Sequence, residues 1–171
     1  MRIPNIFPAS LALVFLTLGK ASASQVFFSP KGGGREQIIH RIDRSTSTID
    51  IAIFAFTDKD IAQTLVNANK RGVKIRLLLD GGQTKEAPLK DSGITVRTWH
   101  ASGKPGQMHE KFCIFDGREV MTGSYDWTYS AEYHNYENIL FVDDLAVVQA
   151  FAHEFEGLWT NSELRAQDSE N

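Results

Sequence analysis

The sequence predicts one α/β domain, an α/β/α sandwich built on a mixed central sheet. Three observations predict it. Thr48 to Phe56 (TIDIAIFAF) is apolar on both faces of a strand, which suits a strand covered by helices on each side. Strand-like runs alternate with helical stretches, and a hairpin then adds antiparallel neighbours. The 171 residues, with 42% hydrophobic and 23% charged content, suffice for a single globular core.

Taken in order, residues 1–23 read as a secretory signal peptide. Arg2 makes the start positive, and Leu11 to Leu18 (LALVFLTL) is apolar but too short to cross a bilayer as a helix. Ala21-Ser22-Ala23 has the small-residue pattern of a cleavage site, so the mature domain is expected over 24–171. An uncleaved anchor is the alternative. After cleavage no membrane span is expected, and the chain would be secreted or periplasmic. Losing Arg2 and Lys20, and no acidic residue, takes the net charge from −3 to −5. Such a balance argues against a broad nucleic-acid-binding surface, so any polyanion must meet a local cationic pocket.

Phe27 to Pro30 suits an edge strand, where proline is tolerated. Arg35 to Arg44 carries Ile38, Ile39 and Ile42 on one side of a helix. Thr57 is the expected N-cap of a second helix, which runs to about Arg71 and stops at Gly72. Val73 to Asp80 and Ile94 to Trp99 are the next strands. A glycine- and proline-containing loop, His100 to Gln107, opens onto a hairpin over 109–124. Trp127 to His134 is expected as a turn or short helix, and Tyr136 to Val142 as a strand. Asp143 or Asp144 caps a last helix with Val148, Phe151, Phe155, Leu158 and Trp159 on one stripe, and a polar tail starts at Asn161. Cys113, the one cysteine, sits in an apolar strand and is expected to be buried and inert.

The chemistry concentrates in HEKFCIFDGREVMTGSYD, His109 to Asp126. A spacing of two in a strand puts His109 and Lys111 on one face. Asp116-Gly117 supplies a tight turn. Gly123 lets the backbone at Ser124 come close to a ligand. An imidazole, a fixed ammonium and a hydroxyl are suitable parts for engaging a phosphate diester.

His109-x-Lys111, four residues, Asp116, six residues, Gly123-Ser124 resembles the signature of the phospholipase D superfamily. Along nearly all its mature length, the chain is similar to the short Nuc-type endonucleases of that superfamily, with the motif at about 103–130. The resemblance implies a phospholipase D/nuclease-like sandwich and a catalytic domain that needs no metal and no cofactor. It implies His109 as nucleophile, forming a phosphohistidine, with Lys111 and Ser124 holding phosphate oxygens. One chain offers one HxK, whereas this chemistry uses two histidines. The resemblance therefore implies a homodimer in which the two His109 rings share a site on a twofold axis.

Asp116 is either a site residue or a turn residue, since strand parity points it away from His109. Glu137, in Tyr136-Glu137-Asn138, resembles the family glutamate that fixes the histidine tautomer. The family pattern ends Gly-Ser-x-Asn where this chain has Asp126, so altered or reduced activity is expected, because an ionised carboxylate cannot donate to phosphate. His134-x-x-Glu137 lacks a third ligand, and no metal site is expected. Three functions follow: a nuclease on DNA or RNA, a phospholipase D on phosphatidylcholine-type lipids, or a non-catalytic phosphate-binding module. The chain has no long insertion to serve as a lipid lid, which favours the nuclease, while its acidic charge favours the lipid.

Overall fold

The computed structural model describes residues 24–82, 89, 92–99 and 106–169, with side chains through 162. The expected signal peptide, most of the 81–93 connection and residues 100–105 lie outside the described residues. The elements are β1 (Gln25–Phe28), α1 (Gly34–Arg44), β2 (Thr48–Ile53), α2 (Lys59–Lys70), β3 (Lys74–Asp80), β4 (Thr95–Trp99), β5 (Lys111–Phe115), β6 (Glu119–Gly123), α3 (Tyr129–Tyr133), β7 (Asn138–Val142) and α4 (Leu145–Ser169). They form a seven-stranded sheet in the order β1-β7-β6-β5-β2-β3-β4. β2, β3 and β4 are parallel, and the remaining pairings are antiparallel, so the sheet is mixed.

Alternate residues of each central strand feed two cores. Ile49, Ile51 and Ile53 of β2 join Ile38 and Ile42 of α1 and Ile61 and Leu65 of α2 on one side. Ala52, Leu78, Phe112 and Ile114 meet Val148, Phe155 and Trp159 of α4 on the other. This period-two division makes three layers. It also explains why β2 reads as apolar throughout: both of its faces are covered. Cys113 is fully buried as a free thiol, and burial holds it well above the ordinary thiol pKa. Among the described residues no helix is long and apolar enough to cross a membrane.

Several expected boundaries move. β2 stops at Ile53 rather than running to Phe56, because the chain leaves the ladder at Ala55, whose N–H donates to the Asp126 carboxylate at 2.9 Å. Asp58, not Thr57, caps α2: its side chain accepts from the N–H groups of Asp60 and Ile61 at 2.9 and 3.0 Å. The Thr57 and Asp58 N–H groups both donate to the Trp127 carbonyl, and Arg35 holds the Asp58 carboxylate at 2.7 Å. Asp144 caps α4 by accepting from Val147 N–H at 3.1 Å, as expected of one of the two aspartates there. The expected polar tail from Asn161 is instead helical to Ser169.

Candidate active site

Of the motif residues, His109, Lys111, Gly123 and Ser124 lie at one end of the hairpin, beside the carboxyl ends of parallel strands β2 and β3. This is the end of an open α/β sheet where ligand sites form. β5 begins at Lys111, which pairs with Ile53 of β2. His109 therefore lies just ahead of the strand rather than within it. The register Phe112↔Thr122 places Lys111 opposite the Gly123 end of β6.

Lys111 is 8% exposed, unusual for a lysine, and its surroundings explain how it stays there. Its Nζ lies 3.4 Å from His109 Nε2, 3.3 Å from the His109 carbonyl and 3.5 Å from Asp126 Oδ2. It also sits 4.8 Å from the centre of the Phe54 ring, where the π-face attracts a cation. The same ring packs on the His109 imidazole, 4.5 Å between centroids. His109 is exposed, so a ligand can reach the imidazole while the ammonium beneath it is fixed. Asp80 anchors the approach to this pair by accepting from Met108 N–H at 3.0 Å.

Asp126 faces into this cluster. Its Oδ1 accepts from Ala55 N–H and its Oδ2 faces Lys111. Burial pushes the Asp126 carboxyl above the ordinary range, against the opposing pull of Ala55 N–H, Lys111 and His109. The carboxylate thus takes up one side of the Lys111 ammonium.

At the neighbouring strand end, Gly123 is required by its backbone. Its φ is +150, and a Cβ there would come 2.2 Å from the Asn138 carbonyl oxygen. That close approach lets Ser124 N–H donate to the same carbonyl at 3.2 Å. Ser124 Oγ donates to Glu137 Oε2 at 2.5 Å and accepts from Asn138 N–H at 3.1 Å. The second oxygen of Glu137 accepts from Asn135 Nδ2 at 3.1 Å. Within one chain, then, Glu137 holds Ser124 and Asn135 rather than the His109 ring expected for it.

Asp116 is removed from the site altogether. It sits at the far end of β5, where the five strand residues put roughly 15–20 Å between it and the His109 end. There its carboxylate accepts from the N–H groups of Thr46, Ser47 and Thr48 and from the hydroxyls of Thr46 and Ser47. Burial opposes ionisation, yet the donors of Ser47, Thr46 and Thr48 together outweigh it and hold the carboxyl below its ordinary value. The Asp116 carboxylate thus ties the hairpin turn to the Thr46–Thr48 segment.

Sequence reasoning did not single out Phe54, Asp80 or the Ala55 N–H. Their signal was positional: all three lie at the carboxyl ends of the two parallel strands.

Fold and site together define a class: a mixed α/β/α sandwich with a histidine–lysine pair at one end of the sheet, equipped to engage an anion. The family profile described as "Cardiolipin synthase, PLD-like domain" matches residues 38–159, and the chain belongs to this phospholipase D-like family. Mitochondrial cardiolipin hydrolase of Xenopus tropicalis is 34% identical over 130 residues, covering 73% of this chain and 60% of that protein. The chain thus spans less than two thirds of that relative. Phospholipase D of Rickettsia prowazekii is 30% identical, with 80% of this chain and 69% of the relative covered. Among solved structures, the phospholipase D family member Nuc from Salmonella typhimurium superposes with a TM-score of 0.73 at 32% identity, covering 81% of this chain and 95% of Nuc. NucT from Helicobacter pylori shares the fold, with a TM-score of 0.73 at 23% identity.

Proposed function

We propose that the protein is a phosphodiesterase acting on nucleic acid through a phosphohistidine intermediate, working as a homodimer. The observation that carries this reading is the buried Lys111 ammonium 3.4 Å from Nε2 of the exposed residue His109. Lys111 binds a non-bridging oxygen, and the His109 lone pair forms a P–N bond as the P–O bond to the leaving group breaks. The leaving oxygen takes a proton from the second imidazole, His109 of the partner subunit. Water then attacks phosphorus, gives its proton back to that imidazole, and breaks the P–N bond to release a phosphate monoester. Identical rings in the two roles require a twofold axis beside the site. The side chains supply nucleophile, acid and cation, so the reaction needs no metal in this reading. A secretory leader over 1–23 would place the enzyme in the periplasm or outside the cell.

What supports nucleic acid is the resemblance to Nuc-type endonucleases along nearly all the mature length, with 95% of Nuc covered at 32% identity. A phospholipid substrate is the second reading. It is favoured by relatives named as cardiolipin hydrolase and phospholipase D, and by the acidic net charge of −3. Purified mature protein is expected to cut DNA in EDTA, and His109→Ala to be inactive. Hydrolysis of cardiolipin or phosphatidylcholine with DNA left intact would install the lipid reading. Loss of cutting in EDTA would rule out the covalent histidine mechanism, and an active monomer in gel filtration would rule out the shared site.

A further inference from the structure

The segment that leaves β2 carries an aromatic ring into the site from a fixed backbone. Phe54 directly follows Ile53, which pairs with Lys111 across the β2–β5 ladder. On its other side, Ala55 N–H donates to Asp126 at 2.9 Å, and the Ala55 carbonyl accepts from Trp127 N–H at 3.1 Å. Both neighbours are thus tied to the motif segment, and the half-buried Phe54 ring has little freedom to shift. That ring meets two groups at once. Its centroid lies 4.5 Å from that of the His109 imidazole and 4.8 Å from Lys111 Nζ.

Among the described residues, two side chains engage the imidazole directly, Phe54 and Lys111. Glu137, expected to orient it, accepts from Ser124 and Asn135 within one chain. The two contacts differ in their fate when an ester arrives. An ammonium carries donors only, so Nε2 is the acceptor in the 3.4 Å contact with Lys111 Nζ. Attack on phosphorus needs this lone pair free, and the ammonium turns from it to a non-bridging phosphate oxygen. The contact with Lys111 is therefore given up before the P–N bond forms. The contact with Phe54 uses no lone pair and can last throughout, while the π-face continues to attract the ammonium. An imidazole without that ring is free to turn toward the Asp126 carboxylate, with which it already interacts electrostatically.

We propose that Phe54 is a positioning residue: its ring is the shelf that keeps the His109 imidazole aimed at phosphorus after Lys111 has turned to the phosphate. This rests on the phosphohistidine reading above and holds whether the diester belongs to nucleic acid or to lipid. The test uses bis(p-nitrophenyl) phosphate, a diester with neither base nor acyl chain. Phe54→Leu, apolar but without a π-face, is expected to lower kcat by about 10- to 100-fold with KM within about threefold, the scale for a reacting group held out of line. Phe54→Tyr keeps the ring face and should stay within about threefold of the wild type. Unchanged kcat in Phe54→Leu overturns the proposal, as does a loss confined to KM, or a Phe54→Tyr enzyme as slow as Phe54→Leu.

A second measurement needs no Phe54 variant and no turnover. The imidazole proton resonances of His109, identified by their absence in His109→Ala, are expected to be displaced by the Phe54 ring current and to stay displaced at saturating inorganic phosphate. Their return toward the free-imidazole position with phosphate bound overturns the proposal, even if Phe54→Leu does not fold. Failure of phosphate to bind, read from its phosphorus NMR linewidth, removes the step in which Lys111 turns and overturns it too. If the wild type hydrolyses no diester, the phosphohistidine reading fails, while resonances that stay displaced under phosphate would still show the shelf.

Discussion

Asp116 and Asp126 stand ten residues apart in one motif and have opposite fates. Asp116 closes the outer end of the hairpin and is surrounded by the N–H groups and hydroxyls of the Thr46–Thr48 segment. Asp126 lies at the inner end with one backbone donor and one ammonium at 3.5 Å. Many donors favour the charged form, whereas burial with few donors disfavours it, so one carboxyl is held below its ordinary value and the other above. The same side chain is therefore a structural staple at one end and a neighbour of the histidine–lysine pair at the other. The number of donors around it makes the difference.

Breaking the inner end should affect rate and leave stability intact. His109→Ala is expected to cost about 10³-fold or more in turnover, since it removes the proposed nucleophile. Its melting temperature should match the wild type, because the ring is exposed; a large drop would make His109 a structural residue. Lys111→Met is next, at roughly 10²–10³-fold in kcat, the scale for losing one charge-stabilising donor. Steady-state kinetics on an oligonucleotide check this, and a change confined to KM would recast Lys111 as a general binding residue.

Breaking the outer end should do the reverse. Asparagine tolerates the left-handed backbone at residue 116, φ 52, but carries no charge to match the surrounding donors. Asp116→Asn is expected to cost about 1–2 kcal/mol in urea unfolding while kcat stays within about twofold. A rate collapse in a fully folded variant would restore Asp116 to the catalytic set.

The smallest effect sharpens the comparison most. Asp126→Asn replaces an anion beside Lys111 with a neutral side chain that can donate, and the rate near neutral pH should rise by about two- to fivefold. No gain would mean that the carboxylate does not hinder the substrate. The pH dependence of stability should separate the two aspartates by sign. With its folded pKa depressed, Asp116 contributes stability above the unfolded value near ~3.9, and this is lost as pH falls through the folded pKa. With its folded pKa raised, Asp126 carries a penalty that is present above the folded pKa and is relieved as pH falls toward ~3.9. Urea midpoints across the acid range should therefore lose opposite slopes in Asp116→Asn and Asp126→Asn.

Much of the fold was legible because its signals are local. The doubly apolar β2, the isoleucine stripe of α1, the Gly72 stop of α2 and the Asp144 cap each depend on neighbours within a few residues. Boundaries failed where a distant partner intervened. Thr57 lost the cap position to Asp58 because Trp127 accepts both N–H groups and Arg35 fixes the carboxylate. β2 ended early because Ala55 turns to Asp126.

In the site, His109, Lys111, Gly123 and Ser124 were singled out through the spacing they share with the phospholipase D signature, while the structure sets His109 just ahead of β5 rather than within it. By itself the sequence determined the sandwich, the hairpin and the histidine–lysine pair, since periodicity and turn chemistry act over short stretches. Only the tertiary structure decided that Asp116 would bind a loop 70 residues away, that Glu137 would hold Ser124, and that Phe54 would lie against His109. Those pairings follow from which strands lie side by side, and strand order is set by burying both faces of the whole sheet at once.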